Sequence, residues 1–208
     1  MSRPGTFERV YAAIKQQLRE GMFRPGERLE PAMLAEELNS SATPVRDALH
    51  RLTGERLVET PRHEGFRAPV MTETTLRHLY AWHRDLLMLA LARRGIASGP
   101  GDAETEDQSL HDRRNAIFLS LAAAGGNPEH VQALASLLER IEPVQRLEER
   151  FLDALDIEIS QIAHAIRTGD RKKLRRNLVQ YHRRRQRIVP DLLAMLYEAG
   201  RPGQAAPK

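Results

Sequence analysis

The chain of 208 residues carries 32 Lys/Arg against 28 Asp/Glu, giving a net charge of +4, a sequence pI of about 9.7 and a leaning toward anionic partners. It has no cysteine, which excludes disulfides, thiolate metal sites and a cysteine nucleophile. The longest strongly apolar run, Leu86 to Ala92, is far too short to span a bilayer and the opening MSRPGTFERV has no apolar leader segment, so a cytoplasmic, membrane-free protein is expected, with room for two small domains.

In chain order, PGERL (25–29) leads into PAMLAEEL (31–38), where Pro31 suits a first helical position and Met33, Leu34 and Leu38 recur on one face. Asn39, Ser40 and Ser41 break that helix. The next run, ATPVRDALHRL (42–52), places Val45, Ala48, Leu49 and Leu52 on one arc of a helical wheel and Thr43, Arg46, Asp47 and His50 on the opposite arc. One arc is core and the other is free to read a partner. Leu57 to Thr60 and Phe66 to Val70 then flank Pro61-Arg62-His63-Glu64-Gly65, which has the composition of a hairpin loop. Helix, turn, helix and hairpin in that order predict a winged helix-turn-helix over residues 1–70.

From Thr72 helical periodicity takes over. One helix is predicted from a Thr72 cap to about Arg94, with Leu76, Leu79, Tyr80, His83, Leu86, Leu87 and Ala90 repeating. Residues 95–108 read as a loop, a second helix spans about Ser109 to Ala124, and Asn127-Pro128 starts a third that Pro143 limits or kinks. A fourth is predicted from about Arg146 to Thr168, and a fifth after Gly169-Asp170, restarted or kinked at Pro190. The fold class is therefore mainly α: a winged helix-turn-helix, an all-α antiparallel helical bundle over 71–199, and a disordered tail over 200–208.

The block TPVRDALHRLTGERLVE, preceded by PGERL and followed by EGFRAPV, resembles the DNA-binding domain of GntR-family transcription regulators over roughly residues 6–70. The helical blocks LYAWHRDLL (79–87), SLAAAGGNP (120–128) and AIRTGD (165–170) resemble the FCD (FadR-like) effector domain, with a shortened loop after Gly95. The resemblance implies a homodimer that binds a pseudo-palindromic operator in double-stranded DNA, acting as a repressor because the family leans that way. The candidate DNA contacts are Thr43, Arg46 and His50 on the second motif helix and Arg62, His63, Gly65 and Arg67 in the wing, with help from Arg3 and Arg9. Arg46 can meet either a phosphate or a guanine edge. Where the family usually has an arginine before Thr-Pro, this chain has Ala42, which cannot hydrogen-bond a base.

The FCD resemblance also implies a divalent metal held by an aspartate and three histidines. The matching positions here are Arg114, Phe118, Ile159 and Tyr181, so neither metal nor other cofactor is expected. Phe118, Ile159 and Tyr181 suit core packing, and with His83 and Arg114 they make up the candidate effector-binding set. Arg114 lies on or beside an apolar arc, which leaves two readings: with His83 and Tyr181 it binds a small anionic effector, or it snorkels to solvent. An Arg114 paired with an internal carboxylate would remove the first. The other histidines, at 78, 111, 130, 164 and 182, have no ligand spacing and are expected to face solvent, as is the run RKKLRRNLVQYHRRRQR (171–187), for which a second nucleic-acid contact is the alternative. No nucleophile elbow, P-loop or catalytic carboxylate pair is present, so enzyme activity is not expected. An effector-independent DNA binder whose bundle only dimerises is the alternative.

Overall fold

The apolar periodicity of the chain is realised as nine α-helices among the described residues, which are 5–62, 64–93 and 109–198 of a computed structural model. They divide between two units, one within Met1–Thr72, Glu142–Val144 and Leu193–Lys208, the other within Glu73–Ile141 and Gln145–Leu192. None of these helices is long and apolar enough to cross a membrane.

In the first unit, α1 (Thr6–Arg19) buries Val10, Ile14 and Leu18, a four-residue repeat that keeps one stripe on the core. This helix precedes the elements anticipated from the sequence. Helix α2 (Pro31–Glu37) begins with Pro31 at a position whose backbone N–H would have no helical partner anyway, and buries Leu34 and Ala35. Met33, expected on the apolar face, is instead 55% exposed. The turn after α2 closes with two hydrogen bonds, Ser40 N–H to the Ala35 carbonyl at 2.9 Å and Asn39 N–H to the Glu36 carbonyl at 3.2 Å. That pairing needs a left-handed residue between, and Asn39 supplies it at φ +47°. Helix α3 (Ala42–Gly54) follows with Val45, Ala48, Leu49 and Leu52 fully buried, the arc expected from the sequence.

The wing differs in detail from the predicted hairpin. Strand β2 (Phe66–Arg67) pairs antiparallel with β1 (Arg28–Leu29) in the PGERL segment, while on its other side Glu59 and Arg67 exchange two backbone hydrogen bonds of 2.8 Å. Leu57 and Val58 serve the core rather than a long strand. PGERL is thus a strand of the wing sheet, extended by Gly26 N–H to the Ala68 carbonyl and Ala68 N–H to the Glu27 carbonyl, both 2.9 Å.

The second unit contains α4 (Glu73–Ala92), α5 (Leu110–Ala124), α6 (Pro128–Gln145) apart from Glu142–Val144, α7 (Leu155–Arg167), α8 (Arg171–Arg187) and the first residues of α9 (Val189–Glu198). Ser109 caps α5 by accepting from Asp112 N–H at 3.1 Å, and Asp170 caps α8 by accepting from Lys173 N–H at 2.9 Å. A Cβ on Gly125 would lie 3.4 Å from the Ala90 Cα, so this glycine lets the end of α5 approach α4. Helix α6 continues through Pro143 to Gln145 rather than stopping there.

The predicted helix from Arg146 is the main correction. The chain instead forms one 3-10 turn at Glu148–Arg150, reverses, and passes through Ala154 at φ +55° before α7 begins at Leu155. Glu148, Leu152, Leu155 and Ile159 are all buried, and their spacing of four, three and four residues is also that of one face of an uninterrupted helix, so the periodicity gives no sign of the break. The expected loop over 95–108 and tail over 200–208 lie outside the described residues.

Candidate nucleic-acid interface and the centre of the helical unit

Helix α3 is held on its rear face and open on its front. Behind it, the Glu55 carboxylate accepts from Tyr11 Oη at 2.7 Å and Lys15 Nζ at 2.9 Å, and the Arg51 guanidinium lies 4.1 Å from the Tyr11 ring centroid. Burial alone would raise the Glu55 carboxyl, but the hydrogen bonds from Lys15 and Tyr11 outweigh it and hold the group below its ordinary value. Arg9, a candidate phosphate contact, donates to the Leu38 carbonyl at 2.8 Å and the Asn39 carbonyl at 3.3 Å. It ties α1 to the end of α2 and so positions the motif.

On the front, Thr43, Arg46, Asp47 and His50 lie toward solvent, and no described side chain hydrogen-bonds or ion-pairs Arg46. The His50 ring meets Phe66 edge to face at 4.9 Å, so it joins α3 to the wing as well as facing solvent. In the wing, Arg62 is exposed, Gly65 holds φ +76°, and Arg67 is ion-paired with Glu64 at 2.5 Å. A phosphate contact by Arg67 would have to compete with that carboxylate. His63 and Arg3 lie outside the described residues. Thr43, Arg46, His50, Arg62 and Gly65 therefore sit where the sequence placed them, on one helix face and one loop of the same unit.

The centre of the helical unit carries a different chemistry. His83, Arg114, Phe118, Ile159 and Tyr181 are all buried there, and His83, Phe118 and Tyr181 meet ring to ring at 4.9 to 6.0 Å. Arg114 neither snorkels nor waits for an outside anion: its Nη1 donates to Glu148 Oε2 at 3.0 Å and its Nη2 to His111 Nδ1 at 2.8 Å. Glu148 also accepts from Tyr80 Oη at 2.7 Å and from Arg185 Nε at 3.0 Å. Arg185, fully buried, donates onward to Glu158 Oε2 at 2.8 Å and the Tyr181 carbonyl at 3.0 Å, with its guanidinium carbon 3.3 Å from the Tyr181 ring centroid. Burial alone would lower the Arg185 guanidinium, yet Glu148, Tyr181 and Glu158 hold it above its ordinary value, while burial pushes the Tyr181 phenol up to about 12. Two guanidiniums and two carboxylates thus neutralise one another inside the bundle.

The positions at which the sequence resemblance implies metal ligands, Arg114, Phe118, Ile159 and Tyr181, hold a guanidinium, a phenyl ring, an alkyl chain and a phenol. With Arg114 and Arg185 beside them, these residues do not fit a divalent cation. Two histidines expected at the surface, His111 and His182, are internal, and His83 is buried with them. His182 Nδ1–H donates to the Leu178 carbonyl at 2.6 Å, which leaves Nε2 to accept from His83 Nδ1–H at 2.8 Å. Burial first, then the neighbouring Arg185, lowers His182 to about 4, and burial with His182 and Arg114 places His83 well below its usual value.

Comparison with known proteins settles the first unit. Residues 6–67 match the model of bacterial regulatory proteins of the gntR family. The N-terminal unit is a GntR-family DNA-binding domain. The Nta operon transcriptional regulator of Aminobacter aminovorans is 48% identical over 58 residues, 28% of each chain. The transcriptional repressor GlaR of Escherichia coli is 32% identical over 89 residues, 41% of this chain and 40% of its own. The chain thus spans well under half the length of these GntR-type relatives in alignment. Escherichia coli McbR, at 24% identity and a TM-score of 0.63 over 94% of this chain and 99% of its own, shares the fold across both the GntR-type domain and the helical bundle.

Proposed function

We propose that the protein is a sequence-specific transcription regulator that binds a pseudo-palindromic operator in double-stranded DNA as a homodimer and represses. The observation that carries this reading is the solvent-facing row Thr43, Arg46, Asp47 and His50 on a helix whose rear face is locked into a GntR-type domain. Such a helix fits the major groove, with Arg46 able to present a planar fork to a guanine or a phosphate and the Arg62 loop lying against the flanking backbone. Ala42 shortens the first reading position, so specificity rests on Thr43, Arg46 and His50. The name of one relative, a transcriptional repressor, supports the direction of control. For the homodimer, the support is an apolar stripe on α4, where Trp82 and Leu89, seven residues apart, are 46% and 47% exposed.

Arg46→Ala should lose about 1 to 3 kcal/mol of operator binding without changing the helical content, since Arg46 forms no hydrogen bond or ion pair with a described residue. A fluorescence-anisotropy titration of both proteins against the operator measures this, and the stoichiometric point should fall at two chains per duplex. Equal affinities would show that α3 does not read the groove.

The helical unit is best explained as a dimerisation module that needs no effector, because Glu148 already supplies the anion that Arg114 requires. The pairing with Glu148 removes the reading in which Arg114, with His83 and Tyr181, binds a small anionic effector, although His83 Nε2, Arg114 Nε and Tyr181 Oη are buried without partners among the described residues. Thermal unfolding in the presence of inorganic phosphate and of mono- and dicarboxylates tests this. An unchanged Tm with intact operator binding is expected, and a rise with any of them would establish the effector.

A further inference from the structure

The charge of this chain is concentrated on one helix. Helix α8 carries nine Lys/Arg and no Asp/Glu, so the rest of the chain is net acidic although the whole is +4. Three of the nine are engaged inside the second unit: Arg185 in the buried network, Arg184 on Glu158 at 3.1 Å and the Asp153 carbonyl at 2.6 Å, and Arg171 on the Leu91 and Arg93 carbonyls. Five others, Lys172, Arg175, Arg176, Arg183 and Arg187, are exposed, line an open groove of about 550 Å³ on the outer side of α8, and pair with no described carboxylate. Arg175, Arg183 and Arg187 also line the adjoining groove of about 560 Å³ between α4 and α8. At about 100° per residue the five positions fall within about one third of the helix circumference, on one face about 22 Å long.

Like charges in a row cost free energy unless a polyanion lies against them. A second copy of the chain would bring the same cations face to face and is disfavoured. A membrane surface would call for exposed Trp, Phe or Leu beside the cations, and the α8 face offers only Val179. Single-stranded nucleic acid is bound by stacking bases on aromatic rings, and none lines the outer groove. A duplex backbone needs neither; it presents a charge every 1.7 Å or so of axis to a stripe of cations. We propose that Lys172, Arg175, Arg176, Arg183 and Arg187 form a second, sequence-independent contact with the phosphates of double-stranded DNA. It adds to the GntR-type reading head and rests on the DNA-binding reading above. The head selects sequence, and the α8 face supplies affinity that does not depend on sequence.

The test is the full-length triple variant Arg175→Gln/Arg183→Gln/Arg187→Gln, which changes only exposed side chains and should keep the wild-type circular dichroism. Its binding to a scrambled duplex is followed by anisotropy across a salt series. The slope of log affinity against log salt should shrink by roughly 2 to 3 for each bound chain, at about 0.9 for each phosphate that is no longer neutralised. An unchanged slope overturns the proposal. So does a variant with weakened affinity for polyglutamate, or for a single strand, and an unaltered duplex slope, since the occupant would then be an acidic protein or an unpaired strand. Arg46→Ala on the same scrambled duplex should retain most of the slope while its preference for the operator weakens, so failure of the reading head and failure of the α8 contact give different results.

Discussion

Glu148→Gln should destabilise the helical unit by about 3 to 5 kcal/mol at neutral pH, the usual consequence of removing one partner of a buried charge pair. The substitution keeps the size of the side chain and its capacity to accept from Tyr80, while removing the charge and the oxygen that accepts from Arg114 and Arg185. Arg114 would keep only its hydrogen bond to His111, and Arg185 would depend on Glu158 alone for its countercharge. A typical domain has about 5 to 15 kcal/mol in total, which makes this a large fraction of the stability of the unit. Urea unfolding followed by circular dichroism measures it, with Glu149→Gln, at an exposed neighbouring site, as the control that should leave the transition in place. A midpoint for Glu148→Gln equal to wild type would mean that the network is not formed in solution.

The second large effect is a loss of stability in mild acid, set by the His83–His182 pair. Both imidazoles are buried and neutral, and the donor chain from His83 through His182 to the Leu178 carbonyl uses one proton on each ring. Their pKa values are depressed in the folded state, so between about 6.5 and about 4 the unfolded chain binds protons that the folded chain does not. The stability is fully present above about pH 6.5 and is lost as pH falls. For His182, held at about 4, the loss amounts to about 2 kcal/mol by pH 5 and about 3 kcal/mol by pH 4, with His83 adding to it. Most carboxylates are still ionised between about pH 6.5 and 5, so that window reports the histidines. His182→Gln should flatten the dependence there, and a wild-type stability independent of pH across it would refute the neutral pair.

Helix α3 and its two faces were legible in the sequence because burial there follows a 3.6-residue period: Val45, Ala48, Leu49 and Leu52 lie inside, and Thr43, Arg46 and His50 outside. The wing was half legible. Its two-residue strands are too short to show alternation, and the pairing of Arg28–Leu29 with Phe66–Arg67 joins segments far apart in the chain. The centre of the bundle was the least legible part. Arg114, Phe118, Ile159 and Tyr181 were identified, but not Glu148, whose partners lie 34, 37 and 68 residues away. A signal did exist: Leu174, Leu178, Tyr181 and Arg185 follow one helical stripe, so Arg185 had to be buried and had to meet a carboxylate. It was masked by the basic run around it, whose other members face out or reach the surface, and the same run hid His182.

The claim on which the rest depends is that α3 reads DNA sequence. It is tested most directly by selecting bound molecules from a pool of random duplexes with the purified full-length protein and sequencing them. A pseudo-palindromic motif enriched by wild type and absent with Arg46→Ala is the result expected. Retention of duplexes with no enriched motif, or the same motif with both proteins, would contradict it.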